Sequence, residues 1–356
     1  MEAVAGEAAP GAVQDLTSPC GKTIAAIILV PVVIALAIMA FVWPNARLEP
    51  RELPVGVAGP PNATAQLAQR LGAHEGAFDV TAYPTESAAR AAIEERDIYG
   101  AFVLTPDGPK VLTASAASPV VAQLLTAAAA ENAAPGAKPV VDDVVAAPEE
   151  DPRGSALGSS MLPLALAGVI AGAGVTLLGL RGARAVVALV GAASGIGLVG
   201  AAITDSWLGI LGGGWWVEAG AFALTALAGS AAVAGLAAVL GAPGIGLGAM
   251  LNVFLGNPFS GVTSAPEMLP EPVGALGQWL PVGSGAQLLR SVAFFDGNAA
   301  SGPVLTLSVW TLAGLSLVLF GGRWNRGRRG GTSVAAGADG AIEAQPALRE
   351  EPTAGR

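Results

Sequence analysis

Residues 23–43 read TIAAIILVPVVIALAIMAFVW, a run without one ionisable side chain, preceded by Lys22 and closed by Trp43. A helix rises about 1.5 Å per residue, so roughly 20 such residues cross a hydrocarbon layer of about 30 Å. A basic flank at one end and an indole at the other suit the two membrane surfaces. The run reads as an uncleaved anchor. A cleaved signal peptide fits badly: residues 1–22 carry Glu2, Glu7 and Asp15 against one lysine, and Pro44-Asn45-Ala46 is a poor cleavage site. Pro31 predicts a bend.

The rest of the chain repeats the signal. Only 13% of the 356 residues are charged and 53% are apolar, too little polar surface for a soluble chain of this length. Further spans are predicted at 157–180, 185–203, 219–240 and 304–320, the last beginning after Pro303. Residues 244–262 form a weaker fifth candidate, because Asn252, Asn257 and Pro258 interrupt it. Its clean part would reach only about 18 Å as helix. Basic residues favour counting it. With six passes, Lys22, Arg181, Arg184, Arg323, Arg326, Arg328 and Arg329 all lie on the cytoplasmic side.

The predicted fold is therefore a polytopic α-helical membrane protein with six transmembrane helices and a small extracytoplasmic α/β domain between the first two. In chain order this gives a leader (1–22), the first helix (23–43), the outer domain and linker (44–156), a five-helix block (157–322) and a cytoplasmic tail (323–356). The tail is Gly- and Ala-rich without periodicity from Gly330, which predicts disorder. Both termini are then cytoplasmic, in a plasma membrane.

Residues 44–156 hold 15 acidic and 8 basic side chains. Residues 53–58 alternate around valines as a strand, 63–71 have helical spacing, and 78–82 read as a second strand. Thr85 can cap a helix through Glu95. Residues 98–104 read as a strand, turned by Pro106-Asp107-Gly108-Pro109 into 110–114 as a hairpin. A helix starting at Ser118 follows, then a linker over 133–155 in which 140–145 can return as an edge strand.

Candidates for chemistry are few. Cys20 has no partner and His74 lies in a polar stretch without other ligand types, so no metal, cofactor or catalytic site is predicted and the chain is not read as an enzyme. Gly21-Lys22-Thr23 lacks the earlier glycine of a phosphate loop. Gly195-Ile196-Gly197-Leu198-Val199-Gly200 fits the dinucleotide spacing but lies inside a span with no strand before it. Small residues four apart (Gly168/Gly172, Gly191/Gly195, Gly244/Gly248) point instead to close helix packing. No predicted span carries an ionisable residue at its centre, which argues against a self-powered, ion-coupled carrier. The acidic outer region speaks against nucleic acid as a partner.

Residues 256–301 are too apolar for an ordinary loop and too rich in proline to cross. They predict short helices, interfacial or re-entrant. Pro281 opens a segment in which Leu288, Leu289, Val292 and Phe295 can face lipid or the bundle, with Phe294 beside them. Arg290 is placed to anchor at the interface or to meet an anionic headgroup.

Six passes with a re-entrant segment between the fifth and sixth, carrying Leu280-Pro281, Leu288-Leu289-Arg290 and Phe294-Phe295-Asp296-Gly297, resemble the permease subunits of ABC-2-class exporters. The large domain after the first pass is similar to that of their phage-infection-protein-like relatives, with local likeness at 53–58, at Ile98-Tyr99-Gly100-Ala101-Phe102-Val103-Leu104 and at Thr113-Ala114-Ser115. The resemblance implies a homodimeric permease that exports a hydrophobic, lipid-like or amphiphilic compound using a separate cytosolic ATPase. Pro281, Leu288, Leu289, Arg290, Phe294 and Phe295 would line the exit, and Arg181 and Arg184 would offer the cytoplasmic contact. Two departures bear on the motor: the loop at 181–184 is shorter than the coupling helix such permeases place there, and the loop between passes four and five is just as short. Two other readings stay open, an envelope protein whose outer domain binds a partner or phage, and a sensor passing ligand occupancy across the membrane.

Overall fold

A computed structural model of the protein describes residues 19–73, 76–105, 108–131 and 140–342. His74 and the Pro106-Asp107 pair of the expected hairpin turn lie outside the described residues. The first helix, α1 (Pro19–Ala46), contains the opening apolar run and projects it almost wholly exposed, as a lipid-facing helix would be. Near its C-terminal end Phe41 meets Phe254 edge-on, with 6.5 Å between ring centroids.

A five-stranded α/β unit follows. It comprises β1 (Leu53–Ala58), α2 (Pro61–Gly72), β2 (Phe78–Tyr83), α3 (Glu86–Glu94), β3 (Gly100–Thr105), β4 (Gly108–Thr113), α4 (Pro119–Glu131) and β5 (Val140–Asp143). The strand order is β2-β1-β3-β4-β5, and only β3 and β4 are antiparallel, pairing Gly100 with Thr113. Thr85 caps α3 as its position suggests, its Oγ1 accepting from the Ala88 amide at 3.2 Å. Ser118 does the same for α4 through the Val121 amide. The 140–145 stretch does return, as edge strand β5 parallel to β4. Glu86, Arg90, Lys110 and Asp142 tie α3, β4 and β5 in one ion network. The carboxylates of Glu86 and Asp142 are held below their ordinary range by hydrogen bonds from these cations, Lys110 foremost.

The helical block begins with α5 (Ser155–Leu177) and α6 (Ala183–Ala201), the latter extended by a π-helical turn to Trp207. Then come α7 (Trp215–Leu240) and α8 (Ala242–Ala249), which runs through a π segment, Met250–Gly256, into α9 (Asn257–Phe259). A 3-10 turn at Pro266–Met268, α10 (Val273–Gln278) and α11 (Pro281–Phe294) precede the last helix, α12 (Ser301–Ile342). Among the described residues, five helices are long and apolar enough to cross a membrane: Gly21–Ala46, Ser155–Leu177, Ala183–Trp207, Trp215–Leu240 and Ser301–Gly321. The chain is a multi-pass membrane protein. Residues 330–342, whose composition predicts disorder, continue α12 as helix. Ala-rich sequence extending an existing helix escapes the nucleation cost that an isolated segment would meet.

α7 is the central post of the bundle, and glycines set how closely its neighbours approach. A Cβ at Gly172 would stand 2.5 Å from Ser230 O, and one at Gly314 2.5 Å from Ala231 O. One at Gly248 would stand 2.7 Å from Val233 Cα. These pairings run α5 and α12 parallel to α7. They run 242–259 antiparallel to it, from Gly244 beside Leu236 to Asn252 beside Gly229. Two of the three predicted glycine pairs therefore lie against α7, with Gly172, Gly244 and Gly248 in tight contact. Gly191 and Gly195 do not, since nothing lies within 4 Å of a Cβ at either. The close approach of α6 falls on Gly197 and Gly200 instead, against Ala223 and Phe222.

Candidate functional site

The α/β unit rests on residues 260–298, at the end of the bundle where α7 and α12 begin. The contact starts with Arg96. The chain leaves α3 through Glu95 and Arg96, and Arg96 adopts φ 67, the left-handed region a non-glycine residue rarely enters. Its side chain accounts for the placement. Nη1 donates to the Gln287 carbonyl at 3.2 Å and to Ser291 Oγ, and Nη2 donates to Gln287 Oε1 at 2.6 Å. The guanidinium also lies over the Phe295 ring, 5.1 Å from its centroid.

Further ties join the seam. Tyr99 Oη donates to Glu267 Oε2 at 2.8 Å, and Asn298 Nδ2 donates to the Glu94 carbonyl at 3.0 Å. Arg51 donates to the Met268 carbonyl through Nη1 at 3.0 Å, while its amide donates to the Glu267 carbonyl. Burial at the seam pushes the Tyr99 phenol far up, with the Glu267 carboxylate adding to the effect, so the hydroxyl remains a donor at any physiological pH. Burial lowers the Arg96 pKa, opposed by Tyr99 and Glu267.

Between the seam and α12 lies a cavity of about 700 Å³. Ile93, Tyr99 and Phe295 wall it on one side, and Trp279, Leu305, Val309 and Trp310 on the other, with Glu267, Gln278, Ser284 and Gln287 supplying polar groups. Trp310 Nε1 donates to the Trp279 carbonyl at 2.7 Å and fixes that wall. Trp279, Leu305 and Val309 are 71%, 66% and 57% exposed, so the cavity opens sideways along the first turns of a membrane-spanning helix. It is an amphipathic recess, mostly apolar in lining with a few polar groups.

Of the residues singled out in the sequence, Pro281 starts α11 and is buried, and Leu288 and Leu289 belong to the bundle core. They do not face lipid. Phe294 is half-buried, and Phe295 is buried and lines the cavity. Arg290 is no interfacial anchor: it is 4% exposed, its Nη2 donates to the Val262 carbonyl at 2.8 Å, and its Nε has no partner. α11 enters the mouth of the bundle instead of lying across it, and every residue except Gln287 and Phe294 is buried. Gly285 beside Thr225 and Gly256 beside Val282 permit that insertion. Arg181, in the α5–α6 connection, and Arg184, in the first turn of α6, stand exposed at the opposite end.

The residues that make the cavity polar, Arg96, Tyr99, Glu267 and Gln287, are not those the sequence pointed to. The partners of Arg96 and Tyr99 lie 168 to 195 positions away, beyond the reach of local pattern. Among the described residues no group of three or more His, Cys, Asp or Glu could hold a metal ion.

The arrangement combines a sheet unit following one membrane helix, a short-helix segment in the bundle mouth and a recess between them. Residues 22–144 match the family model described as ABC-2 family transporter protein. The match spans α1 and all five strands, and the chain resembles ABC-2-class permeases. No curated protein and no solved structure matches the chain.

Proposed function

We propose that the protein is the permease subunit of an ABC-2-like exporter that moves a hydrophobic or amphiphilic compound, powered by a separate cytosolic ATPase. The observation that carries the reading is the lateral cavity, roofed by the ABC-2-like unit and opening beside a membrane span. Such a recess suits cargo that partitions into lipid, and a homodimer would present two of them.

The seam supports six crossings. α1 places the α/β unit on one side, and α5, α6 and α7 then cross three times, leaving Gly241 on the other. Residues 260–298 touch the α/β unit through Arg51, Arg96, Tyr99 and Asn298, which supports a return crossing by 242–259. Eighteen helical residues rise about 27 Å, close to the hydrocarbon thickness. The basic residues near the span ends favour the α/β unit outside and both termini in the cytoplasm. Arg181 and Arg184 are then the exposed cytoplasmic groups available to a motor.

The turns at 178–182 and at Gly241 are short for a motor contact, and they favour one alternative, an envelope protein that uses the α/β unit to bind a partner. Purification of the full-length protein from its native cell in mild detergent separates the two. The exporter reading expects an ATPase subunit in near-equal amount, lost when Arg181 and Arg184 are both changed to Ala. Envelope proteins without an ATPase would overturn it.

A further inference from the structure

Glu218 stands in the first turn of α7, one residue before the stretch that the sequence marks as a span, and its side chain is fully buried. Oε1 accepts from the Gly213 amide at 2.9 Å, while Oε2 is closed to solvent and has no hydrogen-bond partner. As a carboxylate, Glu218 would leave that charged oxygen without a donor, a cost that the positive end of α7 offsets only in part. Its surroundings add negative charge. A Cβ at Gly213 would stand 2.2 Å from Val292 O and 3.0 Å from Glu218 Oε1, so the last turn of α11 packs against the same glycine. The Val292 and Ala293 carbonyls are among the four that end a helix without an intrahelical partner, at the negative end of its dipole. Asp205, in the π-helical turn after α6, is a second acid acting on Glu218. Among the described residues, the elements packed around this turn bring it no cation. α5 and α12 through Gly321 have no titratable residue, and Arg290 on α11 is directed to the Val262 carbonyl. Glu150 beside Gly209 and Asp296 beyond α11 are further acids, and Arg153 in the linker is exposed.

We infer that Glu218 is a proton-binding site whose neutral acid form keeps the last turn of α11 seated on residues 209–213 and α7. Protonated, the carboxyl brings its own donor into a place lined by acceptors. When the O–H bond breaks, the proton leaves to water and the carboxylate stays among the α11 carbonyls and Asp205, a set that repels it. The seated arrangement therefore holds one proton more than the opened one, and raising the pH favours opening. α11 also carries Gln287 and Ser291, the acceptors of Arg96, so the same helix connects the proton to the α/β seam. The inference stands apart from the exporter reading and needs neither motor nor cargo.

Infrared spectroscopy and hydrogen exchange on the full-length protein in nanodiscs provide the test. With glutamate isotopically labelled in the side-chain carboxyl, wild type at neutral pH should show the carbonyl stretch of a neutral glutamic acid, displaced by the label and missing in Glu218→Gln. Amide protection at residues 292–295, corrected for the intrinsic exchange rate, should fall by up to ~10-fold per pH unit once the proton is released, the limit that one proton sets. Glu218→Gln, whose amide nitrogen supplies a donor in the same place, should keep the protection and lose its pH dependence. A wild type without a neutral glutamic acid at neutral pH would overturn the proton site, and the wild-type spectrum decides this even where the variant fails to fold. Protection that ignores pH in wild type, or that follows pH equally in Glu218→Gln, would overturn the coupling to α11.

Discussion

At the scale of single residues, Arg96 accepts a backbone conformation that glycine would tolerate better so that its guanidinium can fasten the α/β unit to α11. Left-handed backbone costs a non-glycine residue about 1–2 kcal/mol. Hydrogen bonds from a charged donor contribute about 1.5–3 kcal/mol each. Removing the side chain therefore weakens the seam. Arg96→Ala should raise amide hydrogen exchange around Gln287–Ser291 by roughly 30-fold, corresponding to a loss of about 2 kcal/mol. Arg96→Gly loses the same bonds but relieves the backbone, so it should be the milder of the two by about 1 kcal/mol. Equal effects would mean that the positive φ carries no cost here, and no effect in either would remove Arg96 from the seam. Arg290 gives the opposite lesson. In the sequence it is placed to anchor at the interface or to meet an anionic headgroup, and only the insertion of α11 reveals its burial.

At the scale of elements, the sheet was legible because its strands are short and bounded by their own punctuation, with β1 and β3 apolar as well. Gly59-Pro60-Pro61 ends β1, and Thr85 and Ser118 cap the helices that follow, as local chemistry requires. The helical stretch 242–259 was harder to read, since Asn252 and the Asn257-Pro258 pair look like interruptions. In the fold, Asn252 Nδ2 donates to the Gly248 carbonyl at 2.9 Å, and its side chain packs against Gly229, so the polar group is satisfied inside the bundle. Glycine spacing told that helices approach but not which glycines do so. Gly314 and Gly174 make the difference measurable. A Cβ at Gly314 would stand 2.5 Å from Ala231 O on α7, against backbone that cannot swing aside, whereas one at Gly174 meets nothing within 4 Å. Gly314→Ala should lower the Tm of the detergent-solubilised protein through about 1–3 kcal/mol of overpacking. Gly174→Ala should leave it unchanged or raise it slightly, since alanine favours helix by up to ~1 kcal/mol. A Gly314→Ala protein as stable as wild type would mean that α12 is not seated against α7 as described.

For the whole molecule, topology and site are one question, because the cavity exists only if the α/β unit and residues 260–298 share a side of the membrane. Five long helices alone would leave those two parts on opposite sides, unless 242–259 completes the return. Their mutual hydrogen bonds are therefore the strongest reason to count a helix whose composition falls short. Cysteine labelling of intact cells reads the parity directly. With Cys20 replaced by Ser, single cysteines at Ser87 in α3 and Glu271 before α10, both exposed, should react with a membrane-impermeant maleimide. A cysteine at Arg181 should react only after the membrane is opened. Labelling at Ser87 without labelling at Glu271 would separate the two halves of the cavity and remove the site. Labelling at Arg181 alone in intact cells would keep the seam but invert the molecule, placing the recess in the cytoplasmic leaflet, where a motor on Arg181 and Arg184 could not be cytosolic.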